Sequence, residues 1–158
     1  MRNEIHELNM TLNQIYRKQE DLYHEYASHF GLSSISFWIL YTLCETEDEV
    51  FTQNKLADMW HIPRQSLNSA VRTLVNQGYI KLEQMAVARN SKALSLTEEG
   101  GVFCKRAIYP FYELEERILK RMSKQERDRF VEFSARQLDL MKEEVEAVAA
   151  SDKASEAA

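Results

Sequence analysis

The chain has 158 residues, 44 % apolar and 28 % charged, which suits one folded domain with a real core and excludes a disordered chain. No apolar run approaches the ~20 residues that span a bilayer, and the opening MRNEIHELNM lacks the apolar segment of a secretion signal. A net charge of −5 argues, taken over the whole chain, against a nucleic-acid partner. Two cysteines, Cys44 and Cys104, lie 60 positions apart without CxxC spacing. That pattern points to a reducing, cytoplasmic setting and away from a zinc site or a disulfide framework. His6, His24, His29 and His61 are too scattered for helical metal-ligand spacing, so no metal and no cofactor is expected.

In chain order, Ile5, Leu8, Leu12, Ile15, Tyr16, Leu22, Tyr23 and Tyr26 recur at helical spacing and predict a first helix over about residues 4–29, ended by Gly31. Its broad stripe is more than one small domain needs and suggests a helix from another chain. Ser33 or Ser34 caps a second helix, apolar nearly all round, through Ile35, Phe37, Trp38, Leu40, Tyr41, Leu43 and Cys44. Residues 45–49, ETEDE, form an acidic loop, and Thr52 caps a short third helix with Leu56, Ala57 and Trp60 turned inward. After the tight connection His61-Ile62-Pro63, Pro63 suits the first turn of a fourth helix, where a missing N–H does no harm. Two short helices so joined make a helix-turn-helix with the second as reader.

That reader, Pro63 to Gly78, has two faces. Leu67, Ala70, Val71, Leu74 and Val75 form the apolar stripe. Gln65, Asn68, Ser69, Arg72 and Asn76 form an outer face with donors, acceptors, one Arg and no carboxylate. A solvated helix face usually mixes Glu with Lys, whereas this one suits base edges and phosphate oxygens. Between His61 and Lys92 lie Arg64, Arg72, Lys81, Arg89 and Lys92 against Glu83 alone, a formal +4 that leaves −9 elsewhere. Screening confines the acidic body's influence to about 8–10 Å at physiological salt, so such a patch can dock on phosphates.

Ile80 and Leu82 alternate with Lys81 and Glu83, and Leu94 and Leu96 with Ala93 and Ser95, which predicts a two-stranded ribbon with a long basic tip, Arg89-Asn90-Ser91. Thr97 caps the next helix, with Glu98 and Glu99 in its first turn, and Pro110 should kink or split it. Ser123 to Glu126 is an S-x-x-E capping box, followed by the stripe Phe130, Phe133, Leu138, Met141, Val145 and Val148. The small polar residues 150–158 are expected to be disordered.

This order of elements resembles the MarR family of bacterial transcriptional regulators. The resemblance rests on GLSSISFWILYTL, on FTQNKLADMWHIPRQSLNSAVRTLVNQGYI and on ARNSKALSLTEEG, with the L-T-x-x-G step at Leu96, Thr97 and Gly100 and an Arg at the wing tip. It implies a mainly α fold with a small β-wing in a single domain, 1–158. About 33–100 would be a winged helix-turn-helix lobe, and about 4–30 and 101–149 a helical dimerisation region. It implies a homodimer reading a palindromic operator in double-stranded DNA. By position, Thr52, Arg64, Gln65, Ser66, Asn68, Ser69 and Arg72 would face DNA, as would Arg89, Asn90 and Lys92 on the wing. The acidic residue usual two positions before the wing Arg is Val87 here, and Asn90 stands where Asp is common, so a salt bridge that often steadies the wing lacks its partner.

Tyr16, Tyr23, His24, Trp38 and Tyr41 are candidates to line a pocket for a small aromatic or lipophilic effector, against the plainer reading that they are core. The function so read is a ligand-responsive repressor. The alternatives are a winged helix that docks protein, and a thiol-based redox regulator. No nucleophile–base pair, glycine-rich phosphate loop or metal cluster supports an enzyme, and Glu113, Glu115 and Glu116 read as solvated surface.

Overall fold

The computed structural model describes residues 2–45, 49–85 and 92–156. The helices are α1 (Arg2–His29), α2 (Ser34–Glu45), α3 (Gln53–Met59), α4 (Arg64–Asn76), α5 (Glu98–Ala107), α6 (Tyr109–Lys120) and α7 (Lys124–Glu156). The strands are β1 (Phe51–Thr52), β2 (Ile80–Gln84) and β3 (Lys92–Leu96). Residues 1–112 and 113–158 form two compact units. No described helix is long and apolar enough to cross a membrane.

In the first unit three helices end in the same turn, each with a left-handed residue just past the cap. At α1 that residue is Gly31, φ 73°, and the Leu32 N–H reaches the Ala27 carbonyl at 3.0 Å. At α4 it is Gly78, φ 77°, and the Tyr79 N–H reaches Leu74 at 3.0 Å. At α3 it is His61, φ 50°, and the Ile62 N–H reaches Ala57 at 2.9 Å. The turn of the helix-turn-helix therefore uses a glycine-type closure with a histidine in it, a conformation with a steric cost for a residue that has a Cβ. Pro63 sits at the N-cap of α4 rather than inside its first turn, with extended ψ 131°.

Side chains start the helices. Ser33, not Ser34, caps α2, its Oγ accepting the Ser36 N–H at 3.0 Å. Thr52 Oγ1 accepts the Lys55 N–H at 3.2 Å at the start of α3. Ser123 and Glu126 close a reciprocal capping box at α7, with Ser123 N–H to Glu126 Oε2 at 2.7 Å and Glu126 N–H to Ser123 Oγ at 3.2 Å. Those bonds hold the Glu126 carboxyl below the usual carboxylate range.

The core lies among α2, α3, α4 and the sheet, where Phe37, Ile39, Leu40, Leu56, Leu67, Val71, Leu74 and Ile80 are almost fully buried. Each such side chain contributes about 1.5–3 kcal/mol of transfer free energy. The sheet has three strands, not two, in the order β1-β3-β2, all antiparallel. Phe51 pairs with Leu94 and Ile80 with Leu96. A two-residue strand is too short to show alternation in the sequence, which is why β1 was not foreseen.

The L-T-x-x-G step has a structural cause. Thr97 Oγ1 accepts the Gly100 N–H at 2.9 Å as the cap of α5, and its hydroxyl donates to the Gly78 carbonyl at 2.5 Å. The Tyr79 backbone passes so close to Gly100 that a Cβ there would lie 1.9 Å from the Tyr79 oxygen. Pro110 falls in the first turn of α6 and separates it from α5.

Two further expectations are corrected. Helix α7 runs on to Glu156, past Ala150, because alanine, lysine and glutamate continue a helix well. Cys44 and Cys104 are joined as a disulfide between α2 and α5, with Cα atoms 6.8 Å apart and both residues buried. Sixty positions of sequence separation say nothing about distance in space, so the cysteines no longer support a reducing compartment.

Candidate nucleic-acid interface

Burying one stripe of α4 leaves the other outside. Leu67, Ala70, Val71 and Leu74 are at most 7 % exposed. Val75, expected in the stripe, is 37 % exposed, because eight residues at 100° each rotate it about 80° from Leu67. Gln65, Asn68, Ser69, Arg72 and Asn76 are all exposed, and Ser66 is half-buried at the edge.

Two shallow grooves flank this face. Gln65, Ser66, Ser69 and Thr73 line one, about 500 Å³, together with Ser33 and Ser36 at the start of α2. Asn68 and Arg72 line the other, about 280 Å³, with Gln53, Val75 and Leu82. Ser33, Gln53 and Thr73 were missed by the sequence reading. The only signal for Ser33 was its capping role, and for Thr73 its distance from the outer stripe.

Of the basic residues of this region, two are engaged. Arg64 donates to Asn54 Oδ1 at 2.6 Å and to Asp58 Oδ1 at 3.3 Å, which fixes its guanidinium against α3. Lys81 pairs with Glu83 at 2.8 Å, and Ser95 Oγ also donates to Glu83 at 3.0 Å. These contacts, Lys81 first, hold the Glu83 carboxyl below its usual range. Arg72 and Lys92 make no ion pair among the described residues. Thr52 is half-buried, its hydroxyl spent on the α3 cap and its backbone paired with Ala93. Arg89 and Asn90 lie outside the described residues.

A separate cavity of about 690 Å³ opens beside the helix-turn-helix. Tyr16, Tyr23, His24 and Trp38 line it, whereas Tyr41 does not. Tyr41 instead meets Tyr112 edge-on at 4.5 Å, and its carbonyl accepts the Tyr112 hydroxyl. The remaining wall is Gln19, Glu20, Asp21, Ser34 and Trp60, none of which the sequence reading named as a pocket residue. Trp60 had been placed inward and is half-buried. Its ring stacks on Trp38 at 4.6 Å, and its indole N–H donates to Thr42 Oγ1 at 2.7 Å. The Thr42 hydroxyl in turn donates to the Trp38 carbonyl at 2.9 Å, which ties the α3–α4 connection to α2. Among the described residues no group of three or more His, Cys, Asp or Glu gathers as metal ligands would.

A helix-turn-helix followed by an antiparallel hairpin, with long helices before and after, is a winged-helix architecture. Residues 30–89 match the model of the MarR family. The chain superposes on NMB1585, a MarR family regulator from Neisseria meningitidis, with TM-score 0.71 at 20 % identity over 90 % of this chain and 96 % of that one. It superposes on Staphylococcus aureus MepR in a DNA complex with TM-score 0.70 at 16 % identity, over 85 % and 97 %. For the transcription regulator MarR from Oenococcus oeni the values are 0.69 and 12 %, over 84 % and 98 %. No curated protein sequence matches the chain. The likeness to the family model is confined to residues 30–89, and the chain as a whole shares the fold of these solved structures.

Proposed function

We propose that this protein is a cytoplasmic, sequence-specific DNA-binding transcriptional regulator that binds a palindromic operator as a homodimer and represses until an effector arrives. The observation that carries the reading is the outer face of α4. It is exposed, has no carboxylate and presents Gln65, Asn68, Ser69 and Arg72 in register along one side. Such a helix fits the major groove, where amides and guanidinium read base edges and hydroxyls take phosphates. Lys92 stands at the start of β3, and Arg89 and Asn90, which the sequence reading assigns to the wing, would reach the neighbouring minor groove. The fold shared with a protein solved on DNA supports the reading.

Dimerisation would use the apolar stripes of α1 and α7. Control would come from the cavity of Tyr16, Tyr23, His24 and Trp38. A ligand that prefers a half-site spacing unsuited to the operator shifts the population away from the binding form. Selection of DNA from a random pool by the purified protein should enrich a palindrome with one half-site per protomer. Recovery of no common sequence would sink the reading.

The joined Cys44 and Cys104 favour a second reading, a thiol-based regulator. In it the two reduced thiols pass two electrons to a hydroperoxide, giving the disulfide, an alcohol and water. Operator release by hydroperoxide, lost in Cys44→Ser, would distinguish it. Unchanged binding at full oxidation would dismiss it.

A further inference from the structure

The cavity beside the helix-turn-helix has a definite chemistry. Its apolar surface is aromatic rather than aliphatic, with Trp38 and Trp60 stacked at 4.6 Å and 30°, and Tyr23 at 5.1 Å from Trp38. Aromatic faces carry the negative part of the ring quadrupole and attract cations. Its charged wall is Glu20 and Asp21, and no Lys or Arg lines it. Glu20 is partly answered by Arg17 at 2.8 Å, on the exposed side of α1. Asp21 makes no ion pair among the described residues. His24 lies between two serine hydroxyls, its Nδ1 3.2 Å from Ser34 Oγ and its Nε2 3.5 Å from Ser28 Oγ.

We propose that this cavity takes a ligand with a planar aromatic ring and a positive charge, an arylalkyl ammonium or quaternary ammonium, with the ring against Trp38 and Trp60 and the cation against Asp21. The proposal rests on the reading of the cavity as an effector site and names the class of effector. A phenolate or carboxylate of the same size would face two carboxylates with no guanidinium or ammonium to receive it. The volume, about 690 Å³, accommodates a drug-sized molecule. Trp60 caps the C-terminus of α3, one residue before the left-handed His61 that turns the chain into α4. A ligand stacked on Trp60 therefore touches the turn that aims the reading helix.

The test uses three probes with one ring system: 1-naphthylmethylamine as cation, 1-naphthalenemethanol as neutral molecule and 1-naphthoate as anion. Each is titrated calorimetrically into the full chain at neutral pH. The amine should bind at least tenfold more tightly than the carboxylate, with the alcohol between. Asp21→Asn should weaken the amine about fivefold to tenfold and leave the alcohol unchanged, while Trp60→Leu should weaken all three. Naphthoate binding as tightly as the amine overturns the cationic class but leaves the cavity a ligand site. If none of the three binds, or if Trp60→Leu changes none of them, the effector-site reading fails and this inference falls with it.

Discussion

Helices α4 and α7 both carry apolar residues at helical spacing, and the two stripes meet opposite fates. In α4, Leu67, Ala70, Val71 and Leu74 are at most 7 % exposed. In α7, Phe130, Phe133, Leu138, Met141, Val145 and Val148 are 57–65 % exposed. On α1, Ile5, Leu8, Ile15 and Leu22 are likewise more than half exposed. Apolar area of this extent is rare on a free surface and marks an interface. The lobe of α2, α3, α4 and the sheet satisfies itself, so its outward face is free for recognition. The terminal helices do not, and in the proposed homodimer a second copy would supply the matching stripes. Periodicity announces that a stripe will be buried, not what will bury it.

Variants can test this contrast, and the largest effect should come from the unsatisfied side. Phe133→Asp together with Met141→Asp places two charges in the α7 stripe. Light scattering should then show monomers, and operator affinity should fall by roughly 10²–10⁴ as the second half-site is lost. A dimer that survives both charges would mean that α7 is not the interface. On the satisfied side, Gly100→Ala drives a Cβ against the Tyr79 carbonyl. It should cost about 3 kcal/mol in chemical denaturation, with the folded fraction still dimeric.

Smaller effects should appear on the recognition face. Arg72→Ala and Gln65→Ala should each weaken specific binding by ~1–3 kcal/mol without changing oligomeric state. Footprints identical to wild type for both would remove α4 from the major groove. Arg89→Ala should reduce the slope of log affinity against log salt by about one unit, as expected for one lost phosphate contact. The smallest change should be His61→Gly. Relief of the left-handed strain, offset in part by glycine's greater freedom when unfolded, should stabilise the lobe by about 0.5 kcal/mol. A thermal midpoint that drops instead would show that the His61 side chain has a role beyond the turn.

What the sequence revealed depended on the range of the signal. The helix-turn-helix, its bounding Gly78, the caps at Thr52, Thr97 and Ser123, and the split at Pro110 are local, set by residues within a turn of one another, and the chain spells them out. The third strand was hidden because Phe51 and Thr52 make sense only beside Leu94 and Ala93, more than 40 positions later. The meeting of Cys44 with Cys104 was hidden for the same reason. The outward placement of Gln65, Asn68, Ser69 and Arg72 on α4 was legible from one helix alone. In the cavity, Tyr16, Tyr23, His24 and Trp38 were legible as aromatic and imidazole side chains, but Trp60 and Asp21 join them only through packing between α1, α2 and the end of α3. Arg64 was expected to face DNA, yet Asn54 and Asp58, six to ten residues back, hold its guanidinium against α3.

Thr97 and Gly100 do more than start a helix. One hydroxyl grips the carbonyl that ends α4, and one missing Cβ lets the following backbone lie flush against α5. The exit of the reading helix and the entrance of α5 are thus a single stitched joint. A rotation of α5 about this joint should therefore carry α4 with it, as a lever rather than a loose finger. The amides of Tyr79 and Gly100 should exchange with solvent in the same opening event, at a rate set by the lobe as a whole.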